Sequence, residues 1–197
     1  MDKSQSTKSI FFTADIHLWD DDIIEARGFN GARDYAEKIT ATWNDVVKPD
    51  DTVYILGDIS RDYPETGVQW IHKHFNGFKV LIPGNHDSFA ACQLFQMDPK
   101  CAVRIPGTMG TIFETDAGKR IILTHYPVHP DELRFFDGNI HGHIHAPIPA
   151  IGYNPIHWPD ADCEPGRTSG SRYFNANMEF HNYMPVPLGI IECRYKD

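Results

Sequence analysis

Pro83-Gly84-Asn85-His86-Asp87 closes a short apolar run, Val80-Leu81-Ile82. The run reads as a buried strand, and Pro83-Gly84 ends it with a sharp turn. Asn85, His86 and Asp87 then follow in succession at the strand's mouth. Each can bind a metal or handle a proton, and each needs hydrogen-bond partners if buried. Taken alone, the pentapeptide also fits an exposed turn. The decision rests on whether other segments bring matching groups to the same place.

They do, each time at the end of a strand. Ser9 to Ala14 is apolar and aromatic and runs into Asp15-Ile16-His17. Residues two apart in extended chain point to one side, so Asp15 and His17 can reach one ion together. Thr52 to Leu56 is a second strand, followed by Gly57-Asp58. Gly57 lets the backbone approach whatever Asp58 holds. Between these strands, Tyr35, Ile39, Trp43 and Val46 form one apolar stripe on a helix over 33–47. A second helix over 65–75 buries Val68, Ile71 and Phe75, and the strand Phe78 to Ile82 leads to the opening motif. Ser88 can cap a short helix over 90–95. Thr111 to Thr115 and Arg120 to Thr124 flank Asp116-Ala117-Gly118 as a hairpin, and its second strand ends in His125. Ile140 leads to His141-Gly142-His143-Ile144-His145. Residues 147–172 are rich in Pro and Gly and read as a long loop near the site, with His157, Trp158 and Arg167 as candidate substrate contacts. Tyr173 to Met178 and Gly189 to Tyr195 read as closing strands.

Alternating strands and helices imply an α/β fold with a mainly parallel sheet and right-handed crossovers. In such sheets ligands bind at the carboxyl ends of the strands. Five polar clusters after five strands should therefore converge. Mixed carboxylate, amide and imidazole ligands suit borderline transition metals, and there are too many for one ion. Two ions about 3.5–4 Å apart sharing a carboxylate fit better, with a bridging hydroxide as nucleophile. Such a centre is cationic and attracts an anion such as phosphate.

The whole chain sets bounds on this reading. Its 197 residues suit one domain spanning 1–197. The formal net charge is −9, from 18 Lys and Arg against 27 Asp and Glu, which argues against an extended nucleic-acid track. No apolar run approaches the roughly 20 residues of a membrane span. Residues 1–8 are polar, and Ile10-Phe11-Phe12 is too short for a signal core. Cys92, Cys101, Cys163 and Cys193 lack CxxC pairing and read as reduced thiols in a cytoplasmic protein, not as a zinc framework.

Asp15-x-His17, Gly57-Asp58, Gly84-Asn85-His86-Asp87, His125 and Gly142-His143-x-His145, in this order, resemble the calcineurin-like metallophosphoesterase superfamily. Phe11-x-Thr13, Trp43-Asn44 and Asn175-Ala176-Asn177 look most like its small bacterial and phage members. The resemblance implies a four-layer α/β/β/α sandwich with two mixed sheets. It implies Asp15, His17, Asp58 and His145 on one metal, and Asp58, Asn85, His125 and His143 on the other. The ions would be Mn, Fe, Zn, Ni or Co, with Mn foremost. Asn85 would also touch phosphate, His86 would protonate the leaving oxygen, and Asp87 would orient His86 from behind.

Two departures stand out. Trp19-Asp20 occupies the place where many relatives have Gly-His. Arg61 comes three residues after Asp58, where the phosphoprotein phosphatases have an arginine four after it, which leaves Arg61 a candidate phosphate clamp. His129 and His141 have no role in the family pattern and read as structural. The implied activity is hydrolysis of a small phosphodiester or phosphomonoester, with a cyclic nucleotide or nucleotide-derived diester as the first substrate to consider. A nuclease and a non-catalytic scaffold of the same fold are the alternatives. The oligomeric state is open.

Overall fold

The computed structural model describes residues 8–105, 110–145 and 172–193. The first half alternates strand and helix. β1 (Ile10–Thr13) is followed by α1 (Asp21–Ala26), α2 (Ala32–Val46), β2 (Thr52–Ile55), α3 (Pro64–His74), β3 (Phe78–Leu81), α4 (Phe89–Phe95) and β4 (Cys101–Val103). The second half holds β5 (Thr111–Glu114), β6 (Arg120–Leu123), β7 (Gly138–His141), β8 (Tyr173–Asn175), β9 (Val186–Pro187) and α5 (Leu188–Glu192). Two sheets result. One has the order β4-β3-β2-β1-β9, with β1 to β4 parallel and β9 antiparallel on the β1 edge. The other has the order β5-β6-β7-β8, antiparallel between β5 and β6 and parallel thereafter. The expected α/β fold with two mixed sheets is formed.

Strand alternation decides what each sheet faces. Phe11, Val53, Ile55 and Leu81 pack with Tyr35, Ile39, Trp43, Val68 and Ile71, so α2 and α3 cover one face of the first sheet. Phe12, Ala14, Leu56 and Ile82 pack with Ile121, Leu123, Ile140 and Phe174, which makes the second core the layer between the sheets. Ile122 and Tyr173 face outward on the second sheet and meet Leu133 and Phe136. Among the described residues, the cover there is the 3-10 turn Pro130–Phe135 in place of an α-helix. Ser88 caps α4 as expected, its Oγ accepting from Ala91 N at 3.1 Å.

Two expectations need correction. Over the described residues 189–193 there is no strand: Leu188–Glu192 is a short helix. Ile190 and Ile191 signal β structure, but β9 pairs with β1 for only two residues and stops at Pro187, which has no N–H to continue a ladder. The helical turn then buries Ile191 in the inter-sheet core and leaves Ile190 exposed. The strand expected over Tyr173 to Met178 ends at Asn175, because Asn177 Oδ1 accepts from Glu179 N and starts a 3-10 turn.

Candidate metal centre

The carboxyl ends of β1, β2, β3, β6 and β7 bring the polar clusters together at the seam between the sheets. After β1 the chain leaves extended geometry and enters the left-handed region at Asp15 (φ 57°) and His17 (φ 51°). It is held there by Asp15 N and His17 N donating to Gly57 O and Asp58 O, both at 3.0 Å. Asp58 (φ 59°) and His143 (φ 67°) share this conformation, which is uncommon for residues with a side chain and is kept where surrounding contacts enforce it. Glycines make the packing possible. A Cβ at Gly57 would lie 2.5 Å from His125 Nδ1, and one at Gly142 would lie 2.6 Å from Asp15 Oδ2.

Two triads emerge. Ligand-type atoms of Asp15, His17 and His145 lie within 4.8 Å of one another, as do those of Asp58, His125 and His143. Asp58 Oδ2 stands between them, 3.8 Å from His17 Nε2 and 3.3 Å from His125 Nε2. Asn85 Oδ1 lies 2.8 Å from His125 Nε2, so Asn85 adjoins the second triad. Each of three imidazoles is aimed by its other ring nitrogen. His17 Nδ1 donates to Asp20 Oδ2 at 2.7 Å, His125 Nδ1 to Leu56 O at 2.7 Å, and His145 Nδ1 to Glu179 Oε1 at 2.7 Å. This is the usual support of a metal-ligating histidine. His17 Nε2 is buried and lacks a hydrogen-bond partner among the described residues. A buried, aimed and unpartnered imidazole nitrogen facing carboxylates fits a cation.

The electrostatics match. Burial pushes Asp15 up to about 6 and pushes His17 and His143 down to about 4. Burial also acts against charge on Asp58 and His125, yet their mutual pairing prevails and leaves them at about 2 and about 9. A divalent ion would replace that internal proton as the counter-charge.

The structure places other candidates differently from the sequence reading. Asp87 does not meet His86. Its Oδ2 accepts from Asp58 N at 2.7 Å and Gly84 N at 2.9 Å, and its Oδ1 accepts from Ile59 N at 2.9 Å. The reason is local: three backbone donors at the turns after β2 and β3 point at one carboxylate and use both its oxygens. His86 lies beside the first triad, its ring 5.7 Å from that of His17, and its N–H donates to Asp58 Oδ1 at 2.9 Å. Arg61 lies outside the ligand cluster as an ion-paired side chain, bound to Asp62 at 2.7 Å and Asp22 at 3.2 Å. His141 is buried with Nδ1 2.9 Å from Gly142 O, and His129 is exposed and caps the 3-10 turn, so both are structural. His157, Trp158 and Arg167 lie outside the described residues.

Sequence reasoning missed Asp20, Arg27, Tyr35 and Glu179. Arg27 donates to Asp15 O at 2.8 Å and Ile16 O at 3.0 Å, and pairs with Glu179 at 2.7 Å. Tyr35 Oη donates to Ile16 O at 2.6 Å and also meets Arg27. No spacing advertises these residues, since they come from four separate segments. Asp20 alone had a signal: it is the acid three residues after His17, within reach of that ring.

The profile of the calcineurin-like phosphoesterase family matches residues 8–147, and the chain belongs to that family. It is 28% identical over 190 residues to the uncharacterized protein MJ1445 of Methanocaldococcus jannaschii, covering 94% of this chain and 90% of that one. It is 30% identical over 168 residues to the Gene 66 protein of Mycobacterium phage L5, covering 70% and 78% respectively, so the likeness to small phage members holds. The fold is also that of a protein of unknown function, AQ665 from Aquifex aeolicus, whose crystal structure superposes with a TM-score of 0.65 at 24% identity over 94% of this chain and 98% of that one. Membership implies metal-dependent hydrolysis of phosphoesters. No helix among the described residues is long and apolar enough to cross a membrane.

Proposed function

We propose that the chain is a single-domain phosphoesterase with a binuclear centre, acting on a small phosphodiester or phosphomonoester. The observation that carries this reading is the pair of Asp/His triads with Asp58 Oδ2 between them. Asp15, His17 and His145 would hold one ion, and Asn85, His125 and His143 the other, with Asp58 bridging. When bound, the ions polarise the phosphoryl oxygens and supply an activated water. Manganese is the first metal to test.

The chain's own residues then do the rest. Asp20, Leu56 O and Glu179 fix the rings of His17, His125 and His145 before substrate arrives. Asn85 donates its amide N–H to a phosphoryl oxygen. His86, held by its backbone to Asp58, delivers a proton to the leaving oxygen. Asp87 takes the place of a positioning residue for the turn, not for the His86 ring. An acidic chain of net charge −9 suits a small anion drawn to a local cationic centre better than a polymer, which supports a cyclic nucleotide or nucleotide-derived diester. Buried free thiols at Cys92 and Cys101 accord with a cytoplasmic setting.

The test is elemental analysis of the purified chain together with rates on para-nitrophenyl mono-esters, bis-esters and cyclic nucleotides. Two ions per chain and preference for bis-esters or cyclic nucleotides are expected. One ion, or no turnover of any ester with two bound, would overturn the reading.

A further inference from the structure

A third set of ligand-type side chains lies away from this centre, at the edge of the first sheet. His72 on α3, Asp98 after α4 and Cys101 at the head of β4 each present an atom within 4.8 Å of the others. β4 is the edge strand, so the trio joins that strand to both helices that flank it.

The chemistry of each member is specific. His72 Nε2 lies 2.9 Å from Phe95 O. A carbonyl only accepts, so Nε2 carries the proton and Nδ1 keeps its lone pair. That is the tautomer and the support of a metal-ligating imidazole. Asp98 Oδ1 accepts from Lys100 N at 2.7 Å, which fixes the carboxylate and leaves Oδ2 for another partner. Cys101 is 7% exposed, and burial pushes its thiol up to about 12, so without a cation it is an inert core group. His72 and Asp98 are half-buried, which leaves the trio a path from solvent.

Two cationic side chains oppose a cation here, Lys79 and, next in sequence to Cys101, the exposed Lys100. Lys79 is the buried one. It pairs in register with Cys101, faces Cys101 and Asp98 electrostatically, and donates through Nζ to Phe75 O at 3.1 Å. Burial holds its ammonium pKa below the ordinary lysine value. Among the proposed ligands, one thiolate and one carboxylate balance the charge of one divalent cation.

We propose that His72, Asp98 and Cys101 form a separate site for one thiolate-seeking divalent cation such as zinc, which clamps the edge strand β4 to α3 and α4. Sulfur, imidazole and one carboxylate select zinc or cobalt over calcium or magnesium, and water completes the tetrahedron. On binding, the Cys101 S–H proton leaves to solvent as the sulfur–metal bond forms.

The proposed binuclear centre contains no sulfur ligand, so the two sites can be told apart. Titration of the full chain with cobalt should produce a thiolate-to-cobalt charge-transfer band in the near ultraviolet. The band should persist in Cys92→Ser and in Asp58→Asn, and vanish in Cys101→Ser. A second measurement on the wild-type chain does not depend on that variant folding. Alkylation mapped by mass spectrometry, at a temperature where zinc-free Cys101 is labelled, should show Cys101 protected at least tenfold by zinc. No band, a band that survives Cys101→Ser, or labelling of Cys101 unchanged by zinc would each overturn the proposal. Loss of the ions from Asp58→Asn would leave the sulfur band untouched, so failure of either site is seen separately.

Discussion

The Asp87 carboxylate accepts the backbone N–H of Asp58 at 2.7 Å and so ties the turn after β3 to the turn after β2. With Gly84 N and Ile59 N it satisfies three backbone donors. Removing it leaves those donors unpaired, at about 1–3 kcal/mol for a buried one. Asp87→Ala should therefore lower stability by at least about 2 kcal/mol and weaken metal retention along with activity. Denaturant unfolding and elemental analysis check it. A variant with wild-type stability, full metal and only slowed turnover would return Asp87 to the role of orienting His86.

Asp58 Oδ2 stands between the two triads, 3.8 Å from His17 and 3.3 Å from His125. Asp58→Asn replaces a charged acceptor by a neutral one at that point. Both ions and nearly all activity should be lost. Two metals per chain with normal turnover would refute the bridging assignment.

His86 is proposed to protonate the leaving oxygen. General acids of this kind contribute about 10²–10⁴-fold in rate. An alkoxide needs that proton, whereas para-nitrophenolate leaves well without it. His86→Ala should keep its metals, lose about two to four orders of magnitude on ribose or alkyl esters, and lose much less on para-nitrophenyl esters. Equal losses on both classes would instead make His86 a phosphate-binding or structural group.

Glu179 is a buried acid held down to about 2: burial would raise it, but the hydrogen bond from His145 and the Arg27 guanidinium outweigh burial. Its ordinary value is 4.5, so the folded state binds this proton less readily than the unfolded chain. The stabilisation is present above 4.5 and is lost as pH falls toward about 2. In chelator, Glu179→Gln should show a shallower loss of stability across that window than the wild type. At neutral pH it should be about 3–5 kcal/mol less stable, because Arg27 keeps its buried charge without the opposing carboxylate. Urea unfolding at stepped pH gives both readings, and parallel pH profiles would exclude the linkage.

Arg61 pairs with Asp62 and Asp22 on the surface, and its own N–H, not its guanidinium, donates to Asp20 Oδ1 at 2.7 Å. Arg61→Ala keeps that N–H. It should shift stability by less than about 1 kcal/mol and leave KM within about twofold, since exposed pairs contribute little. A KM raised tenfold at unchanged kcat would restore Arg61 as a phosphate clamp.

The convergence of the candidate ligands was legible because each sits directly after an apolar strand, where order along the chain reports position in space. Asp15, His17, Asp58, Asn85, His125, His143 and His145 all meet at the seam. What supports them was not legible. Glu179 reaches His145 across 34 positions, and Arg27 reaches Glu179 across 152. Partnerships of that range follow from how the sheets dock, not from any local pattern. Asp87 illustrates a different gap: neighbouring His86 in sequence suggested contact, but the turn aims the carboxylate at backbone donors. The closing helix was misread because Ile190 and Ile191 favour strands, while the pairing edge had ended at Pro187.

Each triad draws from both sheets. Asp15, His17 and Asp58 follow strands of the five-stranded sheet, whereas His125, His143 and His145 follow strands of the four-stranded one. Neither sheet folded alone holds a complete set of ligands. Ion capture by the proposed centre would therefore have to wait for the two sheets to dock, and would then lock the docked arrangement by mass action. Under the proposed assignment, loading with metal would act as a checkpoint on assembly: a chain that retains its ions would already have put its two sheets in register.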